Sequence, residues 1–189
     1  MGFTRAELER FRDTTVPDLV GPGVKLLFVG INPGLWTAAV QTHFARPGNR
    51  FYPALVEAGI LERPVTYIDG MTTADRSYLR ERGVGITNLV HRATARADEL
   101  DADELRAGRV QLDRLVCEIK PNVVAMAGIT AYRAAFGRSK ATTGRQPESL
   151  SGVALWVVPN PSGLNAHDTR ASLAAVYREP AVAAGILTA

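Results

Sequence analysis

The chain has 189 residues, 46% of them hydrophobic, enough to enclose one packed core, so a single domain over 1–189 is expected, with 1–22 as a peripheral helix and turn. Lys and Arg number 22 against 19 Asp and Glu, and the pI near 9.3 gives a mild positive bias, too small to establish nucleic-acid binding by itself. One cysteine excludes an internal disulfide or a cysteine-ligated cluster, the three histidines lie far apart, and no apolar run approaches the roughly 20 residues of a membrane span. No metal, cofactor or membrane association is therefore expected, and with no signal-peptide order at its start the chain reads as cytoplasmic.

Thr4-Arg5-Ala6-Glu7 has capping-box spacing and opens a short amphipathic helix carrying Leu8 and Phe11. After Pro17 and Pro22, residues 25–31 form an apolar run that ends abruptly at Asn32-Pro33-Gly34, as a strand buried on both faces does. A long loop to Gly48 leads into a helix over 49–58, closed by Gly59. Residues 83–90 form a second strand, and a polar connection leads to a long helix over 101–119, stopped by Pro121. In that helix Cys117 sits within the run Val110, Leu112, Leu115, Val116, Ile119, where a small buried hydrophobe is expected. A third strand over 123–128 precedes a helix through Tyr132 and Phe136 that ends at Gly137. Residues 138–151 read as a surface loop, 153–158 as a fourth strand, and a terminal helix starts near Thr169. Strands alternating with helices imply an α/β fold with a mainly parallel four-stranded sheet and helices on both faces.

In such a sheet ligands bind beyond the carboxyl ends of the strands. Asn32, Asn88 and Asn160 all meet that condition, so three remote segments could deliver amides to one crevice. Each loop alone also fits ordinary turn chemistry, since Asn bonds its own backbone and Pro fixes the next φ.

At these residues the sequence resembles the mismatch-specific uracil-DNA glycosylases of bacteria and the thymine-DNA glycosylases of animals. The likeness is carried by Gly30-Ile31-Asn32-Pro33-Gly34-Leu35 with His43-Phe44 and Pro47-Gly48-Asn49-Arg50-Phe51, by Gly85-Ile86-Thr87-Asn88-Leu89-Val90 running into Arg92 and Thr94, and by Pro159-Asn160-Pro161-Ser162-Gly163-Leu164. The resemblance implies a three-layer uracil-glycosylase sandwich and a monofunctional enzyme of base excision repair that flips and excises uracil, with ethenocytosine and more weakly thymine as further bases, from mispaired duplex DNA and leaves an abasic site. It assigns Asn32 to the attacking water, Phe44 to stacking on the flipped base, and Ile31 backbone groups with Asn88 to its polar edge.

Asn160, Ser162, Gly163, Leu164 and Asn165 would form the third motif and wedge, with Leu164 entering the space the nucleotide leaves. The bacterial pattern has an Arg shortly after the Leu, whereas this chain reads Asn165-Ala166-His167. Trp36-Thr37 also departs from it, and Thr37 would narrow the space for a thymine methyl, favouring uracil. Arg46, Arg50, Arg92 and Lys140 are the weaker candidates for DNA phosphates. The expected partner is duplex DNA with G:U or related mispairs, bound by a monomer. A DNA-damage binder that keeps the pocket without turnover is the alternative, and a nucleoside hydrolase fits less well because no glycine-rich phosphate loop appears.

Overall fold

The structure is a computed structural model and describes residues 2–163 and 168–188. Its centre is a sheet of β1 (Leu26–Gly30), β2 (Val84–Asn88), β3 (Val123–Ala127), β4 (Gly144–Leu150) and β5 (Val153–Val158), in the order β2-β1-β3-β5-β4. All neighbours pair in parallel except β4, which runs antiparallel to β5. The α/β class and the parallel sheet agree with expectation, but there are five strands rather than four.

The fifth strand lies in the stretch expected to be a surface loop. β4 reads Gly-Arg-Gln-Pro-Glu-Ser-Leu and has no apolar alternation, because an edge strand buries only Gln146 and Leu150. Pro147 is tolerated because the pairing register shifts between Arg145 and Ser149, where no ladder N–H is demanded of it. Ser151 and Gly152, with φ of 49° and 82°, make the two-residue turn into β5. That turn between Leu150 and Val153 was the legible sign of a hairpin.

Alternation along β1 divides the core. Leu26 and Phe28 face one layer with Phe51, Leu55, Leu173 and Tyr177, while Leu27 and Val29 face the other with Leu112, Val116 and Tyr132. The first layer is covered by α3 (Phe51–Glu57), α4 (Thr73–Glu81) and α7 (Arg170–Ala183), the second by α5 (Ala102–Ile119) and α6 (Ile129–Phe136). Two helices fall outside the expected set: α4, and the five-residue α2 (Leu35–Ala39) inside the long loop after β1. The N-terminal α1 (Arg5–Glu9) carries the expected capping box, Thr4 with Glu7, and has no buried residue of its own. Leu8 and Phe11 pack on a small cluster of Val16, Leu35, Ala38 and Ala93. Among the described residues no helix is long and apolar enough to cross a membrane.

Cys117 is exposed, contrary to expectation. The buried stripe of α5 runs Leu105, Gly108, Leu112, Val116, and one further residue rotates about 100° off that stripe. Val110, equally apolar, is also exposed, so apolar identity overstated the width of the buried face.

Gly108 decides how closely α5 approaches the sheet. A Cβ there would stand 2.2 Å from the Leu89 carbonyl oxygen, which is backbone and cannot swing aside. Gly to Ala in a helix ordinarily gains about 1 kcal/mol. At this contact the sign should reverse, and Gly108→Ala should lower stability by about 1–3 kcal/mol in urea titration.

Candidate active site

Beyond the carboxyl ends of β1 and β2 the backbones remain paired. Leu89 N–H donates to Gly30 O at 2.8 Å, Val90 N–H to Ile31 O at 2.9 Å and Thr94 N–H to Pro33 O at 3.1 Å. A third segment is tied in where Arg50 N–H donates to Pro161 O at 3.0 Å, and a Cβ on Gly163 would lie 2.6 Å from Gly48 O. Between these loops is a cavity of about 450 Å³ whose walls include Ile31, Asn32, Thr37, Phe44, Asn88, Asn160 and Ser162. The three asparagines picked out by strand position thus share one cavity. Leu164, Asn165 and His167 lie outside the described residues, so the wedge has no structural account.

Asn32 has its amide N–H₂ group on three acceptors of the chain: Thr94 Oγ1 at 2.8 Å, Arg92 O at 3.0 Å and Pro33 O at 3.2 Å. Thr94 is 1% exposed and passes its own hydroxyl proton to Arg96 O at 2.7 Å, so it can only accept from Asn32. The amide is thereby fixed end for end. Its carbonyl oxygen takes none of these bonds and is the acceptor that remains for a molecule in the cavity.

Asn88 sits opposite Gly30 in the register and is 6% exposed. Its Nδ2 lies 3.0 Å from His43 Nδ1, and the other ring nitrogen, Nε2, lies 3.0 Å from Pro17 O. Burial pushes the His43 pKa below the usual histidine range, which favours the neutral ring. Gly30 makes this arrangement possible, since a Cβ there would stand 2.4 Å from Asn88 Oδ1 and 3.2 Å from Phe44 Cζ.

Phe44 adopts φ of 55°, a left-handed conformation unusual for an aromatic residue. One face of its ring stacks on Phe51, with centroids 4.1 Å apart and planes 27° apart, while the ring also lines the cavity. Thr37, on α2, is 5% exposed and forms part of the wall. Asn160 Oδ1 accepts from Ser162 N–H at 3.0 Å, a local turn that orders the third loop.

The arginines divide by what already holds them. Arg46 is exposed at the cavity edge. Arg50 donates to Asp168 O at 2.5 Å and Gly163 O at 3.4 Å, spanning the third loop. Arg92 grips Glu104 and Asp13, and that contact draws the Glu104 carboxyl down to about 2. Arg50 and Arg92 therefore brace loops, whereas Arg46 is exposed beside the cavity. Lys140 lies in another hollow of about 490 Å³, lined by residues 137–141 and 146–148, which shares no residue with the first. The candidates from sequence did not include Thr94 as a holder of Asn32, His43 as a holder of Asn88, or the rim residues Arg96 and Asp98, paired at 2.6 Å. His43 and Thr94 stood within the quoted motifs, but nothing in a sequence shows which amide each would meet.

The profile of the uracil DNA glycosylase superfamily matches residues 17–180. Among solved structures the chain is similar to the solution NMR structure of a candidate uracil DNA glycosylase from Methanosarcina acetivorans, at 18% identity and a TM-score of 0.58, over 88% of this chain and 97% of that one. At that identity the likeness speaks for the fold.

The fit at Gly30 can be tested without substrate. Gly30→Ala should leave the fold intact but displace the Asn88 amide from His43, so that the Asn88 side-chain protons exchange faster with solvent in NMR spectra.

Proposed function

Because this chain belongs to the uracil DNA glycosylase superfamily, we propose that it is a monofunctional glycosylase of the mismatch-specific uracil/thymine type, excising uracil from mispaired duplex DNA. The observation that carries this reading is the amide of Asn32, locked by three acceptors so that a carbonyl oxygen is left for the cavity.

A glycosidic bond in stacked DNA is out of reach, so the nucleotide must be extruded into a pocket and read there. Phe44 offers a ring for the base to stack on, and Asn88 offers an amide for its polar edge. The base departs as an anion from a sugar with oxocarbenium character, and water captures C1′. Asn32 orients that water through its carbonyl oxygen but is too weak a base to take its proton early. The chemistry therefore rests on positioning and on stabilising developing charge. Such a site suits a G:U mispair, where unpairing costs least. Among the described residues lining the cavity there is no lysine, which supports a product with an abasic site rather than a cleaved strand. A non-catalytic binder would not need Asn32 held in one orientation.

Alkali-dependent nicking of duplexes containing G:U, A:U or G:T, and of single-stranded uracil DNA, tests this directly, with G:U expected to react fastest. Asn32→Ala should cost about 10²–10³-fold in the single-turnover rate while duplex binding persists. Loss of binding together with cleavage would count against the assigned role.

Thr37 at the cavity wall should restrict the thymine methyl. Thr37→Ala is expected to raise G:T cleavage relative to G:U, and an unchanged ratio would remove the steric account.

A further inference from the structure

The two amides of the cavity are held by different kinds of partner. Asn32 donates to two backbone carbonyls and to a hydroxyl whose own proton is committed, none of which titrates. Asn88 donates to a histidine ring, which does.

His43 is 3% exposed and its Nε2 faces Pro17 O at 3.0 Å, a group that can only accept. Nε2 must therefore carry the proton of the neutral ring, leaving Nδ1 bare. The atom of Asn88 that stands 3.0 Å from Nδ1 must then be the donor Nδ2. By elimination Oδ1 is turned to the other side, over Gly30, where a Cβ would stand only 2.4 Å away, and beside Phe44.

We propose that His43 is a positioning residue that sets which way round the Asn88 amide meets the base, and that adding a proton to His43 cancels the setting. With Oδ1 presented, the amide accepts from a ring N–H and can donate its second proton to an adjacent carbonyl. That is the edge of uracil and thymine, whereas cytosine offers a bare ring nitrogen beside an amine. The consequence for base choice rests on the glycosylase reading, but the orientation of the His43–Asn88 pair does not.

A proton on Nδ1 would place two donors 3.0 Å apart. Rotation of the amide by a half turn relieves the conflict and presents N–H₂ to the base instead of oxygen, an unmatched donor against the uracil N–H. The charged groups around His43 are Asp18, ahead of β1, which favours the proton, and Arg76 on α4 and His91 after β2, which oppose it. Burial is the largest influence and also opposes it, so the neutral ring persists at neutral pH and below the usual histidine range. Its folded pKa being lowered, the stability linked to the neutral ring is complete above the unfolded value and is lost as pH falls through the folded one.

Long-range ¹H–¹⁵N NMR of the wild-type protein should find His43 with its proton on Nε2 at pH 7. On acidification the Asn88 side-chain signals should move with the midpoint of the ring. A proton on Nδ1 at pH 7, or Asn88 signals that ignore the ring, would overturn the proposal whether or not the protein cleaves DNA. In single-turnover assays, uracil excision should fall about tenfold or more across that same midpoint. His43→Ala should lose about 10–100-fold at neutral pH, and His43→Gln, whose carbonyl can accept from Asn88 at any pH, should recover part of the rate without the acid limb. An acid limb unchanged in both variants also overturns it. Absence of uracil excision by wild type at every pH would instead remove the glycosylase reading and leave the NMR result to decide the pair.

Discussion

Where β1 and β2 end, their pairing does not. Three further backbone bonds, from Leu89, Val90 and Thr94 to Gly30, Ile31 and Pro33, carry the parallel register out of the sheet and into the loops. Most features of the cavity depend on this extension. It brings the Thr94 hydroxyl and the Arg92 carbonyl under the Asn32 amide, continuing the register that sets Asn88 opposite Gly30. Loop backbone at a sheet end ordinarily spends its hydrogen bonds on water and is mobile for that reason. Here these groups are spent on one another, so the site side chains are mounted on what is in effect a continuation of the sheet.

The same segment explains why glycine stands at positions 30 and 108. At Gly30 a Cβ would collide with Asn88 Oδ1, and at Gly108 one would collide with the Leu89 carbonyl on the far side of the same segment. The segment after β2 is thus confined from two directions, by β1 beside it and by α5 behind it. A shift of α5 would be felt at Asn88, one residue from that contact.

Much of this was legible in the sequence, and the illegible parts share a cause. The strands β1, β3 and β5 read as unbroken apolar runs because both faces are covered, and Asn32, Asn88 and Asn160 could be grouped because strand ends in a parallel sheet point one way. β4 left no periodic trace because an edge strand buries too few side chains, and only the Ser151-Gly152 turn pointed to it. Arg50 and Arg92 stood in the sequence only as candidates for phosphate, because sequence displays charge but not the hydrogen bonds each makes, here to Asp168 O and Gly163 O for one and to Glu104 and Asp13 for the other. Cys117 read as buried because periodicity fixes the spacing of a helix stripe better than its width. Each miss concerns which group meets which, and that information exists only after folding.

Phe44 shows how a local cost is carried by its surroundings. A left-handed conformation in a residue with a side chain costs on the order of 1–3 kcal/mol and persists only where neighbours over-determine it. The stack on Phe51 contributes about 0.5–1.5 kcal/mol beyond burial, and Phe51 is itself wedged edge-on against Phe28 and Tyr52. Strain and stacking are therefore of similar size, and the ring is held by an aromatic stack rooted in the core. Such a ring is in place before any base arrives. On the proposed reading, a base stacking on it would find no side-chain freedom to quench, which lowers the entropic cost of capture. Under that glycosylase reading the two amides orient rather than abstract protons, and a ring fixed in advance would add to that positioning.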